Sequence, residues 1–440
     1  MRSWLSVWSL ILGCITIHPC SATAADPTPT LPDSAALASL PTDPKQETWG
    51  TYDPGKGFLV ARTPTGELAV SGYGLLRYLN QLPGSQTYTD HLGNVRTTDG
   101  REDLYPHRVM IWLKGWMFDP KLIYVFTIWT VNATDQDALF VNLGYQFNRR
   151  FQLYAGIAGN AGTRSILGSH PYWLGHDRVM ADEFFRPFFG SGLYANGELL
   201  PGLWYNAQVG NSNSILGVKA ADLDRNQTVS GSMWYTPTGE FGPRGAYGDF
   251  EMHEKVATRI GFSSCHSPEQ SFTGSGTSTN TTLKLADGVN VFETGSLAPG
   301  VTVQNVDYTV LAVDFGVKYR GFFIQAEQYS RWLDQFNADG PLPVSKLFDT
   351  GFYVQTSYFP MPKTLELYAA TSQIFGDREA GFGRSDEYVL GTNFYPFETR
   401  DTRLNLQYIN VSRCPVGSTF GYYTAGQTGS TVTLAYSLMF

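Results

Sequence analysis

From residue 66 onward the chain is a succession of short runs in which every second residue is apolar. The run Ser430 to Phe440 shows the pattern most cleanly. Val432, Leu434, Tyr436, Leu438 and Phe440 alternate with Thr431, Thr433, Ala435 and Ser437, which are small or hydroxylated. Period-two alternation gives one apolar and one polar face, and so predicts a β-strand lying between two unlike media. The same reading predicts strands over 66–79, 105–118, 122–131, 138–147, 151–158, 187–197, 203–211 and 229–236. In the second half it predicts 249–263, 308–320, 322–334, 350–359, 364–374, 387–396, 401–412 and 430–440. Most have the length of a tilted strand that crosses a bilayer, or a little more. The runs number about sixteen, within a range of 14–18, and an even count suits a single-chain bacterial barrel.

The connections sort by length. After even-numbered runs they are short: 119–121, 148–150, 198–202, 320–321, 360–363 and 396–400, with 237–248 longer. After odd-numbered runs they are mostly long: 80–104, 159–186, 212–228, 264–307, 335–349, 375–386 and 413–429, with 132–137 the exception. A soluble sandwich has no reason to segregate loops in this way. Short turns at one end and long loops at the other predict an all-β fold, a transmembrane antiparallel barrel with periplasmic turns and extracellular loops. The run 430–440 should close it against 66–79.

Facing follows from the alternation, because a Lys or Arg on the lipid face near the midplane costs about 2–4 kcal/mol. Val109, Ile111, Leu113 and Met117 are expected to face lipid, with Arg108, Trp112, Lys114 and Trp116 facing the lumen. Val256, Ile260 and Phe262 likewise oppose Lys255, Arg259 and Ser263. Leu311, Val313, Phe315 and Val317 oppose Asp314, Lys318 and Arg320, and Leu404, Leu406 and Tyr408 oppose Arg403, Asn405 and Gln407. Val432, Leu434, Tyr436 and Leu438 are assigned to lipid or a neighbouring subunit. A lumen lined this way is wet, and is a candidate passage for polar solutes. Aromatic residues near the strand ends, among them Phe118, Trp129, Phe147, Phe151, Tyr235, Tyr358, Phe359, Tyr395 and Phe397, are expected to contribute to interfacial girdles.

Composition agrees. Charged residues make up 16%, aromatics 14%, and there are 46 glycines. No later stretch approaches a membrane helix. Arg2, the apolar run Leu5 to Ile17 and the small-x-small pattern Ala22-Thr23-Ala24 predict a secretory signal peptide over 1–24. Residues 25–50, rich in Pro, Thr, Asp and Ala, predict a periplasmic linker or arm before the barrel at 51–440. The formal charge of −8 argues against a nucleic-acid binder. Cys265 and Cys414 each fall just past a strand end on the long-loop side. A disulfide and two buried thiols both remain open.

A strand of this kind ending on an aromatic resembles the closing strand of bacterial outer-membrane barrels, which the assembly machinery reads. Val313-Asp314-Phe315-Gly316-Val317-Lys318-Tyr319-Arg320-Gly321-Phe322, then Gln325-Ala326-Glu327-Gln328-Tyr329, resemble a hairpin of the phosphate-selective porin O and P family. Asp349-Thr350-Gly351-Phe352-Tyr353-Val354-Gln355, Lys363-Thr364-Leu365-Glu366-Leu367 and Gly391-Thr392-Asn393-Phe394-Tyr395 resemble later strands of that family in the same order. The resemblance implies a sixteen-stranded, trimeric channel of the bacterial outer membrane, with lipids and the assembly machinery as partners. It also implies that the third outer loop folds inward to narrow the pore, which here is 159–186. Phosphate channels of that family line the pore with Arg and Lys, and the acidic balance of this chain sits awkwardly with that.

In the candidate constriction, Arg164 and Arg178 could act as bidentate anion donors with Lys114 beneath them. The plainer alternative is solvated loop charges or pairing with Asp177, Asp182 and Glu183. The inward charges Lys255, Arg259, Lys318 and Arg403, with Arg320 and Arg331, could form a basic track. Alternatively they could pair with Asp314, Glu327, Glu366 and Glu387, in which case opposite charges cancel. His170 and His176 lack a compact metal-ligand spacing, and neither a metal nor another cofactor is expected. Two function classes follow. One is a passive channel for small polar solutes, including anions such as phosphate by resemblance. The other is a barrel enzyme or an adhesive surface barrel. No catalytic residue is assigned, because no histidine sits in a recognisable nucleophile motif.

Overall fold

The structure, a computed structural model, describes residues 51–53, 57–131, 136–167, 171–214, 227–271, 283–417 and 421–440. The expected signal peptide and arm, and His170, lie outside the described residues.

Two short strands, β1 (Thr51–Asp53) and β2 (Gly57–Thr63), precede β3 (Gly66–Leu82), and β2 forms a hairpin with the foot of β3. Next, β4 (Ser85–Thr89) and β5 (Val95–Asp99) form a separate two-stranded sheet in the first long loop. The barrel continues through β6 (Glu102–Met117), β7 (Asp119–Val131), β8 (Gln136–Asn148), β9 (Phe151–Gly159), β10 (Phe189–Leu200), β11 (Leu203–Ser214) and β12 (Gln227–Tyr235). It goes on through β13 (Ala257–Gln270), β14 (Val303–Tyr319), β15 (Phe322–Ala338), β16 (Lys346–Met361) and β17 (Leu365–Phe375). Last come β18 (Arg384–Phe394), β19 (Thr402–Ser412) and β20 (Gly429–Met439). Among the described residues the one α-helix, α1 (Met180–Phe185), lies in the β9–β10 connection.

The β3–β6 pair and each consecutive pair from β6 to β20 run antiparallel, and β20 returns to β3 from Ser430↔Leu82 to Met439↔Tyr73. The ring is therefore a closed sixteen-strand barrel with no free edge. Phe440 adds one more rung by exchanging 2.9 Å backbone bonds with Gly72. A Cβ at Gly72 would sit 2.5 Å from the Phe440 ring, so this glycine leaves room for the terminal aromatic.

Every predicted run coincides with a barrel strand, though one is displaced. The run expected at 249–263 is a strand only from Ala257, and extends to Gln270. Gly248 (φ 68°) and Met252 (φ 57°) take left-handed conformations that interrupt an extended chain, so 249–256 belong to a long connection instead.

The facing assignment holds on strands where it can be checked. On β19, Leu404, Leu406 and Tyr408 are exposed whereas Arg403, Asn405 and Gln407 are buried. On β14, Val313 and Phe315 are exposed opposite buried Asp314 and Lys318. On β20, Leu434, Tyr436 and Leu438 are exposed, Val432 is half-buried, and Thr431, Thr433 and Ser437 are buried. The outer surface is thus a continuous apolar belt, much larger than the scattered apolar patches of a water-soluble protein. Phe118, Phe147, Phe151, Tyr235, Tyr358 and Phe397 ring the short-turn end as exposed aromatics. Trp129, Phe359 and Tyr395 do not join that girdle. They are buried inside, the last two around Phe250.

Candidate functional site: the barrel lumen

The lumenal wall has two unlike halves. From β13 to β19 it carries Arg259, Asp314, Lys318, Glu327, Arg331, Asp349, Glu366, Glu387 and Arg403, all buried. Their partners are close. Arg259 lies 2.8 Å from Asp314 and Arg331 lies 2.6 Å from Asp349. What buries them is the long-loop connections, whose apolar residues (Leu174, Met180, Phe185, Leu285, Phe292, Tyr422) form one core with the inner wall.

The β9–β10 connection is the centre of that filling. Arg403 donates to the carbonyls of Trp173 (2.6 Å), Leu174 (3.2 Å) and Gly175 (3.0 Å). At the start of α1, Met180 N–H donates to Glu387 (2.9 Å) and Ala181 N–H to Ser372 (3.2 Å), so wall side chains satisfy these otherwise orphaned donors. Tyr308 holds the other end through its hydroxyl to the Phe185 carbonyl, 2.5 Å. Burial pushes Asp182 upward. Glu183 is also raised by burial, but the adjacent Arg186 at 2.7 Å outweighs this and leaves it low. His176 is driven well below the usual histidine range by burial and by Arg77, Arg403 and Arg108 around it. It is therefore a neutral ring, 3.2 Å from Asn405 and edge-on to Tyr422.

A second connection enters from the opposite end. Residues 236–256, between β12 and β13, start at the short-turn end, yet Phe241, Tyr247, Asp249 and Phe250 are buried. Tyr247 N–H donates to the Tyr172 carbonyl (2.8 Å), and its hydroxyl meets Tyr353 at 3.0 Å. Burial pushes the Tyr247 hydroxyl up to about 12, so it stays protonated. Arg400 holds this segment at the Tyr247 carbonyl (3.2 Å) and at Glu251 (3.1 Å). Gly248 lies against Glu366, where a Cβ would come within 2.2 Å of a carboxylate oxygen. Arg164 joins the two connections. Its guanidinium donates to the Gly245 carbonyl at 2.8 Å and lies 4.0 Å from the Tyr247 ring centre.

The other half of the wall, from β7 to β12, is uncharged over almost all its height. The register places Val125, Asn142, Gly156, Gly192 and Gly210 on one inward row. Tyr154, Tyr194, Gln208 and Ser230 form the next. Nearer the turns come Gln152, Asn196, Asn206 and Ser232, then Trp204 and Trp234. Most are half-buried rather than buried, unlike the opposite wall. Glu198, a charged residue on this face near the turns, is paired with Arg149.

The residues singled out from sequence scatter accordingly. Lys114 faces inward on β6, half-buried beside Trp112 and Trp116. Arg164 is buried at the junction of the two loops. Arg178 is pulled down to about 10 by burial, stacks on Trp173 at 4.1 Å, and bonds Ser165 at 2.9 Å. Arg259 pairs with Asp314, and Lys318 lies 3.6 Å from Glu251 and 4.7 Å from the Phe241 ring. Two expectations need correction. Lys255 is exposed in the connection before β13, because the strand begins two residues later. Arg320 is exposed at the β14–β15 turn with φ 46°, so it leaves the strand's alternation. Arg164, Lys318 and Arg259 come together, whereas Lys114 and Lys255 lie apart from them. Sequence reasoning missed the inward course of 236–256; its only signals were the extra length and the glycines at 239, 242, 245 and 248.

Asp249, Glu251 and His253 place donor atoms within 4.8 Å of one another. They do not suit a cation, since Glu251 is held by Arg400 and Lys318 and Asp249 accepts the Gly321 N–H at 2.7 Å. Cys265 and Cys414 are free, buried thiols.

Residues 263–418, from within β13 into the connection after β19, match the family model "Phosphate-selective porin O and P". No curated protein matches the chain. Among solved structures the outer-membrane expressed OmpT of Vibrio cholerae is similar at TM-score 0.51 and 11% identity, over 86% of this chain and 99% of that one. An anion-selective porin from Comamonas acidovorans reaches 0.48 at 12% identity, over 85% and 100%. Salmonella typhi OmpF, in complex with daunomycin, reaches 0.47 at 11%, over 86% and 98%.

Proposed function

We infer, from the closed sixteen-strand ring, its apolar belt and the family match over 263–418, that the chain is a porin-type β-barrel of the bacterial outer membrane. We propose that it is a passive channel for small polar solutes and not an enzyme. The observation carrying this reading is the division of the lumen. One half of the wall is sealed by loops, while the β7–β12 half keeps half-buried amide, hydroxyl and aromatic groups that water can reach. The β9–β10 connection, 159–186 in the sequence reading, narrows the passage. Lys114 lies half-buried on the inward face of β6. Passage of anions such as phosphate is supported by the family match and by Lys114. Most basic side chains of the sealed half are engaged by acids, carbonyls or rings, which weakens a phosphate ladder.

The rest of the assignment follows the same reading. Residues 1–24 act as a secretion signal and 25–50 as a periplasmic arm. The face of Val432, Leu434, Tyr436, Leu438 and Phe440 meets lipid, the assembly machinery or a neighbour in a homotrimer. Planar-bilayer recording of the purified protein tests the proposal. Stepwise conductance is expected, and its absence would refute a channel. Reversal potentials in a salt gradient then test anion preference, and cation selectivity would end the phosphate reading.

A further inference from the structure

The neutral half of the wall is more specific than a merely wet surface. Tyr154 and Tyr194 lie directly opposite each other on β9 and β10, with ring centres 5.2 Å apart and planes within 8°. Trp204 and Trp234 repeat the arrangement on β11 and β12, 6.4 Å apart and 9° from parallel. Glycine makes the tyrosine pair possible. A Cβ at Gly144 would sit 2.2 Å from the Tyr154 ring, so that ring lies over β8. The Tyr194 hydroxyl reaches past Gly156 to Asn142, at 2.6 Å. The Tyr154 hydroxyl is likewise fixed on Gln152, at 2.6 Å. Both phenols are thus tied down by amides, and the rings are fixed in orientation.

We infer that this wall is a track for neutral polyhydroxylated solutes of the monosaccharide and disaccharide class. The inference rests on the channel reading above. A sugar ring has an apolar C–H face and a polar hydroxyl rim. Fixed aromatic faces match the first. Asn196 and Asn206, half-buried amides on the same face, match the second. A phosphate ion would gain nothing from the aromatic faces, and the cation beside them, Arg259 at 5.1 Å from the Trp234 ring, is already paired with Asp314 at 2.8 Å, so lost hydration would not be replaced.

The test uses proteoliposomes of the purified full chain and three probes of one size: D-glucose, gluconate (one negative charge) and glucosamine (one positive charge). Osmotic swelling should be fastest with glucose. Replacing both tyrosines (Tyr154→Ala with Tyr194→Ala) should lower the glucose-to-gluconate rate ratio by about 3- to 10-fold, the effect of losing two stacking surfaces. Tyr194→Phe keeps the ring and should keep most of that ratio. Gluconate or glucosamine entering faster than glucose, or a double variant with an unchanged ratio, would overturn the inference while leaving the channel intact. Absence of swelling with all three probes, together with absence of ionic conductance, would instead refute the channel itself.

Discussion

Replacing Arg164 with alanine should loosen the seam between the two inward connections without opening the barrel wall. The seam has countable parts. Arg164 loses a charge-assisted hydrogen bond to the Gly245 carbonyl at 2.8 Å, a contact class worth about 1.5–3 kcal/mol. It also loses the guanidinium–ring contact with Tyr247 at 4.0 Å, worth about 2 kcal/mol when desolvated. The attraction to Asp314 at 3.6 Å goes as well, but Asp314 keeps Arg259 at 2.8 Å and Gln325 at 3.2 Å, so no buried anion is stranded. The backbone bond from Arg164 N–H to Glu327 survives the change. The seam should therefore weaken by about 3–5 kcal/mol, two to three orders of magnitude or more in its open-to-closed ratio. The ladder does not use this side chain, so the barrel should still fold. In planar-bilayer records the variant should show a larger mean conductance with added flicker, and Arg164→Lys, which keeps charge but not the fork, should fall between. A folded variant with the wild-type conductance and noise would refute the role given to Arg164.

Three further outcomes follow. His176 is neutral in its site and ionised in an unfolded or released loop below the ordinary value near 6.5, so its seat is fully stable above that pH and weakens as pH falls below it. Conductance flicker should rise between pH 6.5 and 5 and be reduced in His176→Gln; a flat pH response in the wild type would contradict this. Leu406→Arg puts a cation on the lipid face of β19 and should cost about 2–4 kcal/mol of folding into vesicles, measured by urea titration, if the site lies near the midplane. Leu406→Phe should cost far less, and equal losses would contradict the facing. Cys414 is buried and its thiol is pushed upward by burial, and Cys265 is also buried, so neither should react with a maleimide in the folded protein. Both should react after denaturation without reductant, and a single blocked pair would mean a disulfide.

The barrel was legible because a strand between lipid and water has to alternate, and its alternation is local. Leu404, Leu406 and Tyr408 against Arg403, Asn405 and Gln407 can be read with no knowledge of a partner strand, and the structure keeps that assignment. Legibility fails where a residue's backbone leaves the extended region. Arg320 follows the alternation on paper but sits at φ 46° in a turn, and the run 249–263 is preceded by left-handed Gly248 and broken at Met252. Neither break is visible to a period-two count, because the count assumes the extended conformation it is meant to detect.

The lumen was only half legible, for a different reason. Whether an inward charge lines a passage or is sealed depends on what lies over it, and that is set by loops hundreds of residues away in sequence. Arg403 meets the carbonyls of 173–175, and Glu387 meets the start of α1. Alternation gives these side chains a direction but no covering. The neutral wall escaped notice for the converse reason. Gly144 carries no charge to count, yet by leaving space it lets the Tyr154 ring lie over β8. A charge inventory finds the buried half of this lumen and passes over the half that solvent reaches. Selectivity predicted from the summed lumenal charge should therefore fail here. It should instead follow the uncharged residues of β8 to β12, where the glucose-to-gluconate ratio measures it directly.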